Sequence, residues 1–154
     1  MKGNDQVLGA LNALLAEELT AVSQYMVHSE MNENWGYDKL GGSFQKRAII
    51  EMKHAEKLIG RILFLEGTPI VSELRKFSIG ADVPRMVGND LGLEYGAVKE
   101  YNDAVKLCVS VGDNATKALL ESILKDEDAH VDELEMVRDQ ISQMGLQIFL
   151  SNQT

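Results

Sequence analysis

Glu51 and His54 stand three residues apart, and so do Glu127 and His130. In an α-helix each residue advances about 100°, so residues three apart share a face, and each pair can offer a carboxylate and an imidazole to one point. Each pair is also preceded, 33 residues upstream (18 to 51, 94 to 127), by a glutamate inside an apolar run. Glu18, Glu51 and His54 therefore recur as Glu94, Glu127 and His130 at a constant offset of 76 residues. The same offset carries Ala21-Val22 onto Ala97-Val98, Tyr25 onto Tyr101 and Leu58 onto Leu134. Charged residues that merely decorate solvated helix faces need no common register across four segments. Two helical hairpins related by an approximate two-fold do need one, and they would bring four glutamates and two histidines together.

The rest of the sequence suits a helical bundle. At 154 residues the chain is one domain by length and large enough to bury a core. Two prolines, 45% hydrophobic and 25% charged residues fit an all-α protein. A net charge of −9 argues against nucleic acid, whose phosphates demand clustered Lys and Arg, and fits a protein that attracts cations. No apolar stretch approaches the roughly 20 residues of a membrane span. Met1-Lys2-Gly3-Asn4-Asp5 has no signal-like apolar region, so a cytoplasmic location is expected. Cys108 is the one cysteine, which leaves no intrachain disulfide and suggests a small buried apolar side chain.

Taken in order, Asn4 and Asp5 can cap a first helix over about residues 5–34 with apolar residues at Val7, Leu8, Leu11, Leu14, Leu15, Leu19, Val22 and Met26. Glu18 falls within that stripe, whereas Glu17 faces elsewhere and is expected to be solvated. His28 either approaches one end of the cluster or is a hydrogen-bonded structural residue. After the turn Trp35-Gly36-Tyr37-Asp38 a second helix is expected over 39–66, antiparallel to the first, with Gly67 as its left-handed terminator and Pro69 beyond. Residues 67–81 lack helical periodicity and read as a long crossover pinned by Ile70, Val71, Leu74, Phe77 and Ile79. Asp82 caps a third helix, 83–111, with Pro84 in its first turn. Gly88, Gly92 and Gly96 in that helix suggest close approach of a neighbour or local give around Glu94. Gly112-Asp113-Asn114 separates it from a fourth helix, 115–144, in which Asp126, Asp128 and Asp132 read as solvated or salt-bridged. Gly145 ends that helix, and the apolar segment Leu146–Leu150 lies in a short fifth helix, 146–152, expected to pack on another subunit.

Hard carboxylate oxygens and imidazole nitrogens without thiolate suit a pair of iron or manganese ions rather than structural zinc. A Glu from each of two helices and a Glu-x-x-His from each of the other two is the ligand pattern by which ferritin-like di-iron carboxylate proteins are already known, so it is recognised here, not deduced. On that pattern Glu51 and Glu127 bridge two metals, Glu18 and His54 complete one, and Glu94 and His130 the other. The positions left open would admit O₂ or peroxide.

The chain further resembles the bacterioferritins from Met1-Lys2-Gly3 to Gly145-Leu146-Gln147, through Glu51-Met52-Lys53-His54-Ala55, Arg61-Ile62-Leu63-Phe64-Leu65-Glu66-Gly67 and Met144-Gly145-Leu146. That resemblance implies a ferritin-like four-helix bundle assembled from two-fold dimers into a 24-subunit shell. Its di-iron ferroxidase centre would oxidise Fe(II) with O₂ or H₂O₂ and store a ferric mineral, iron release drawing on a ferredoxin-type reductant. It implies a fifth helix packed about four-fold axes and a haem b shared at each two-fold interface, with Met52 as the axial ligand from each partner. Met52 is also where the repeat fails, its counterpart being Asp128. The resemblance departs at Lys46 and Ile50, where His and Asp are frequent, so an additional inner-surface iron site is not expected. It departs again at Ile148 and Ser151, where amides are frequent, which leaves no polar four-fold channel. Tyr25 is either an electron donor near the centre or a core tyrosine with a satisfied hydroxyl. Two other functions fit the motifs. One is a di-iron peroxidase or oxidase of rubrerythrin type, whose usual Cys-x-x-Cys module one cysteine cannot build. The other is a haem-binding electron-transfer shell with incidental carboxylates.

Overall fold

A computed structural model describes residues 1–154 as five α-helices without strands: α1 Asp5–Asn34, α2 Asp38–Phe64, α3 Val83–Val111, α4 Asn114–Met144 and α5 Leu146–Ser151. Their starts follow from local chemistry. The Asn4 side chain accepts from the amides of Gln6 and Val7, Asp82 from Arg85 and Asp113 from Thr116, each satisfying donors that a helix N-terminus leaves free. Gly112 closes α3 in the left-handed region at φ 75°. The end of α2 differs from expectation. The helix stops at Phe64 and the left-handed residue is Glu66, at φ 61°, not Gly67. Glu66 N–H reaches Leu63 O at 3.0 Å and Gly67 N–H reaches Ile62 O at 2.9 Å, so Gly67 is one position past the left-handed cap. The N-terminal amine lies 2.8 Å from the exposed Glu66 carboxylate.

Cross-contacts fix the topology. Gly3 N–H bonds Leu65 O, so α1 and α2 are antiparallel. Residues 24, 25 and 18 of α1 bond 90, 94 and 101 of α3, and Arg61, His54 and Arg47 of α2 meet Asp113, which caps α4, and Asp126 and Glu133 within it, so these pairs are antiparallel too. Helices α2 and α3 consequently run parallel, and only a long crossover can join them. No helix is long and apolar enough to cross a membrane.

The apolar interior is in two parts. One contains Leu11, Leu15, Leu58, Ile62, Tyr101 and Ile123, with buried Cys108 among them. The other contains Tyr25, Phe44, Met86, Leu91, Leu134 and Phe149. Glu18, Glu51, His54, Glu94, Glu127 and His130, all buried, belong to neither.

The crossover is held otherwise than its composition suggests. Ile70, Val71, Leu74, Phe77 and Ile79 are all exposed, Val71 at 59%. Polar side chains of α1 do the holding: Asn12 accepts from Ile70 N–H at 2.9 Å, Thr20 from Arg75 N–H at 2.8 Å, Gln24 from Ser78 N–H at 3.1 Å and His28 from Gly80 N–H at 3.0 Å. Residues 20, 24 and 28 share one helix face, so they form a ladder that supplies acceptors to an extended backbone. His28 is thus structural: its Nε2 accepts from Gly80, and its Nδ1, which must carry the proton, donates to Asp90 at 3.0 Å. Under the 76-residue offset, residues 12, 20, 24 and 28 become Gly88, Gly96, Glu100 and Ala104. On α3 Glu100 pairs with Arg75 of the crossover and Asn89 donates to Ser78 O at 2.9 Å, but the glycines stand open: Gly88 and Gly92 have no neighbour within 4 Å where a Cβ would stand, and Gly96 has only Glu17 Oε1 at 3.9 Å. The close approach expected at these glycines is absent within the subunit.

The fifth helix packs partly on its own chain. Phe149 is buried in the second apolar cluster and Lys39 N–H bonds Gln153 O at 2.9 Å, whereas Ile148 remains 59% exposed. Gly80→Ala is expected to lower stability by about 1–3 kcal/mol, as overpacking does, because its Cβ would stand 2.3 Å from the Met86 backbone nitrogen. Gly88→Ala, on an open helical surface, is expected to raise stability by about 0.5–1 kcal/mol. Denaturant unfolding of both variants measures the contrast.

Candidate metal centre

Helical spacing sets the geometry. On α2, Glu51 and His54 point into the gap between the two apolar clusters; on α4, Glu127 and His130 do the same from the opposite side; α1 and α3 contribute Glu18 and Glu94. His54 Nδ1 lies 3.1 Å from Glu51 Oε2, 3.0 Å from Glu127 Oε1 and 3.5 Å from Glu18 Oε1. His130 Nδ1 lies 2.9 Å from Glu51 Oε1, 3.2 Å from Glu127 Oε2 and 3.5 Å from Glu94 Oε1. Each of the central glutamates therefore turns one oxygen to each histidine. Glu18, Glu51, His54 and Glu127 offer four ligand atoms within 4.8 Å of one another, and Glu51, Glu94, Glu127 and His130 offer a second such set. The two sets share Glu51 and Glu127, which is the arrangement that carboxylate-bridged ion pairs require.

Without a cation the arrangement is electrostatically unbalanced. Burial pushes the Glu18 carboxyl well above the usual range, although a hydrogen bond from His54 opposes the rise. Burial raises Glu94 to about 7 against the pull of His130. Burial would also raise Glu51 and Glu127, but the close imidazoles of His130 and His54 outweigh it and hold both below the ordinary value. Burial opposes charge on the imidazoles, yet the carboxylates around them win, lifting His130 to about 11 and His54 well above its usual range. The two imidazolium protons occupy the place of cationic charge. They do not complete it: Glu51 Oε1 and Glu127 Oε1 remain buried acceptors with no hydrogen bond, since one N–H cannot point at three carboxylates. Two orphaned oxygens on the shared glutamates fit a site shaped for more positive charge than the protein itself supplies.

The tyrosines obey the repeat. Tyr25 of α1 donates to Glu94 Oε1 of α3 at 2.5 Å, and Tyr101 of α3 donates to Glu18 Oε1 of α1. Both rings are buried, so the alternative of a core tyrosine with a satisfied hydroxyl describes Tyr25, which also touches one of the candidate ligands. Glu94, for which local give was anticipated, is buried and bonded by that hydroxyl.

Asp126, read as solvated or salt-bridged, is salt-bridged: its carboxylate lies 2.9 Å from His54 Nε2 and so orients that imidazole. Asp128 and Asp132 are exposed, as expected. Glu17, read as solvated, is buried; desolvation, helped by the charge of Glu100, raises its carboxyl to about 7 despite Arg75 at 3.3 Å. Arg47 is buried beside Glu94, at 3.5 Å. A basic residue in register with buried Phe44, Ala48 and Glu51 was the available signal for it.

Met52 lies away from the cluster. It is 43% exposed and lines an open pocket of about 240 Å³ with Val22, Met26, Ala48 and Ile49, so Met26, expected in the core stripe, belongs to this surface instead.

Similarity to known proteins agrees with the geometry. Residues 8–144 match the ferritin-like domain family. The bacterioferritin of Rhodobacter capsulatus is 42% identical over 97% of this chain and 92% of its own length. That of Brucella melitensis is 38% identical over 94% and 90%, and that of Mycolicibacterium paratuberculosis 36% over 97% and 94%. With the helical topology, the repeated Glu-x-x-His pairs and this likeness along its whole length, the chain belongs to the bacterioferritins of the ferritin-like family.

Proposed function

We propose that this protein stores iron in the cytoplasm: it oxidises Fe(II) at the centre between the two apolar clusters and deposits ferric mineral inside a shell of 24 copies. The observation that carries this reading is the pair of four-atom ligand sets joined through Glu51 and Glu127. Two Fe(II) ions, the substrate, bind with Glu51 and Glu127 between them, Glu18 and His54 on one and Glu94 and His130 on the other. Each Fe(II) gives up one electron; O₂ gains two electrons and two protons to become H₂O₂, or H₂O₂ gains the same to become two waters. The surrounding apolar clusters keep the ions out of bulk water, and the two imidazoles must release their protons before they can ligate. Tyr25 and Tyr101, each bonded to a terminal glutamate, stand where a phenol can supply an electron while its proton passes to that carboxylate.

Residue 50, which faces the pocket beside His54 and His130, is Ile, and Lys46 is exposed. We therefore route both iron and electrons through the centre itself rather than through a separate inner-surface site, and Ile148 and Ser151 supply no polar channel at the fifth helix. The pocket at Met52 fits a haem: five of its eight lining residues are apolar, Ser29, Glu30 and Gln45 being the polar ones, and the outward Met52 thioether of each copy could hold the group where two copies face one another across a two-fold. A haem bound there would carry electrons from a ferredoxin-type reductant inward. Val22, Met26, Ala48 and Ile49 would shield the group from water, and Met52 of each copy would hold it in place.

Anaerobic Fe(II) titration followed by oxidant should give a fast ferric absorbance phase that saturates at two irons per subunit, with slower growth beyond it. Glu127→Ala should retain its helicity and lose both the fast phase and the mineral; sustained mineral growth in that variant would exclude the centre as the route. Apo protein should become less stable from pH 4.5 to 7. The carboxyls of Glu94 and Glu17, raised to about 7, hold protons there that the unfolded chain has lost. Glu94 alone corresponds to about 3 kcal/mol across that window. Thermal melts with and without Co(II) should show this slope weakened or reversed on loading, because the metal displaces the proton on Glu94. Met52→Leu should abolish binding of added haemin, read from its visible spectrum, and leave iron oxidation intact.

A further inference from the structure

The two halves of the centre match in their ligands and tyrosines but differ in what stands behind them. Arg47 Nη1 lies 3.5 Å from Glu94 Oε1, is buried and has no hydrogen-bond partner. Its guanidinium carbon lies 5.7 Å from the centroid of the Tyr25 ring, and Nη2 bonds Glu133, whose side chain is 62% exposed. Under the 76-residue offset the residue equivalent to Arg47 beside Glu18 is Ile123, which is fully buried. The opposite asymmetry holds behind the histidines. His54 Nε2 has the carboxylate of Asp126 at 2.9 Å, and the equivalent of Asp126 behind His130 is Ile50. One half thus carries an extra negative group and the other an extra positive one.

We propose that Arg47 makes the two ion positions unequal, so that a divalent cation fills the Glu18–His54 half first and the Glu94–His130 half second, against the guanidinium charge. The inference rests on the reading of this centre as a two-metal site. A guanidinium cannot shed its proton to accommodate a neighbouring cation, and a buried charge is poorly screened. Glu133 offsets Arg47 only partly because it is largely in water, where an ion pair is weak. Arg47 also sits on the same Glu94 oxygen that Tyr25 and His130 approach, which diverts that carboxylate from an incoming ion.

Anaerobic Co(II) titration of the apo protein, followed by d–d absorption and heat, tests this without turnover. Wild type should take up two ions per subunit in two steps whose dissociation constants differ by at least about tenfold, a separation of roughly 1.4 kcal/mol. Arg47→Ile, which installs the residue of the other half, should tighten the weaker step and merge the two, whereas Arg47→Lys should keep them apart. Glu94→Gln should delete the weaker step and Glu18→Gln the tighter one. Circular dichroism checks each fold, and Arg47→Gln serves the same comparison if Arg47→Ile does not fold. Two equivalent ions in wild type, or an unchanged separation in Arg47→Ile and Arg47→Gln, would overturn the role of Arg47 and leave the two-metal reading intact. Failure of folded wild type to bind two Co(II) per subunit would overturn that reading, and this inference with it.

Discussion

Burying four carboxylates and two imidazoles at the middle of a four-helix bundle is the constraint to which the other features answer. Carboxylates taken out of water without countercharge are strongly disfavoured, and here they crowd one another as well. The chain meets the problem with the materials it has: two imidazolium groups between the central glutamates, and a tyrosine hydroxyl on each terminal one. The apolar core is split in consequence, with Leu58 and Ile123 on one side and Phe44 and Leu134 on the other. Ion pairs also link α2 to α4 and its N-cap: Arg61 with Asp113, His54 with Asp126 and Arg47 with Glu133.

The approximate two-fold explains which parts of the chain had to stay alike. Where the two hairpins share a task, at the six central side chains and the two tyrosines, residue types agree under the offset. Where a task belongs to one hairpin they diverge. The polar ladder of α1 faces the crossover, and the matching surface of α3 has glycine or alanine at three of four positions; Met52 has Asp128 as its counterpart and Arg47 has Ile123. Broken symmetry is therefore as informative as preserved symmetry: it marks residues whose surroundings only one half possesses.

Helix spans and the convergence of the central residues were legible because both depend on periodicity, which a sequence displays directly. Caps such as Asn4, Asp82 and Gly112 were legible for the same local reason. What was not legible depends on distant chain. Glu17 looked solvated because helical phase turns it from the core stripe, whereas Arg75, arriving from the crossover, and α3 at Gly96 lie against it. The apolar crossover residues looked like anchors because apolar residues usually are, whereas the anchors were Asn12, Thr20, Gln24 and His28, polar residues whose spacing hinted at a shared face but not at what would lie on it. Gly67 looked like the helix terminator, yet the left-handed turn falls on Glu66, beside the chain's own amino terminus.

Because α1 grips the crossover by its backbone amides, the fold asks little of the side chains there. An amide of Ile70, Arg75 or Ser78 would bond equally well if another residue bore it. Apart from Gly67, Arg75 and Gly80, whose own atoms or close neighbours fix them, the crossover is a stretch whose chemistry can drift without loosening the bundle. Its outward row of isoleucine, valine, leucine and phenylalanine is accordingly a record of the surroundings of this subunit, written on a part of the chain that internal packing leaves free to change.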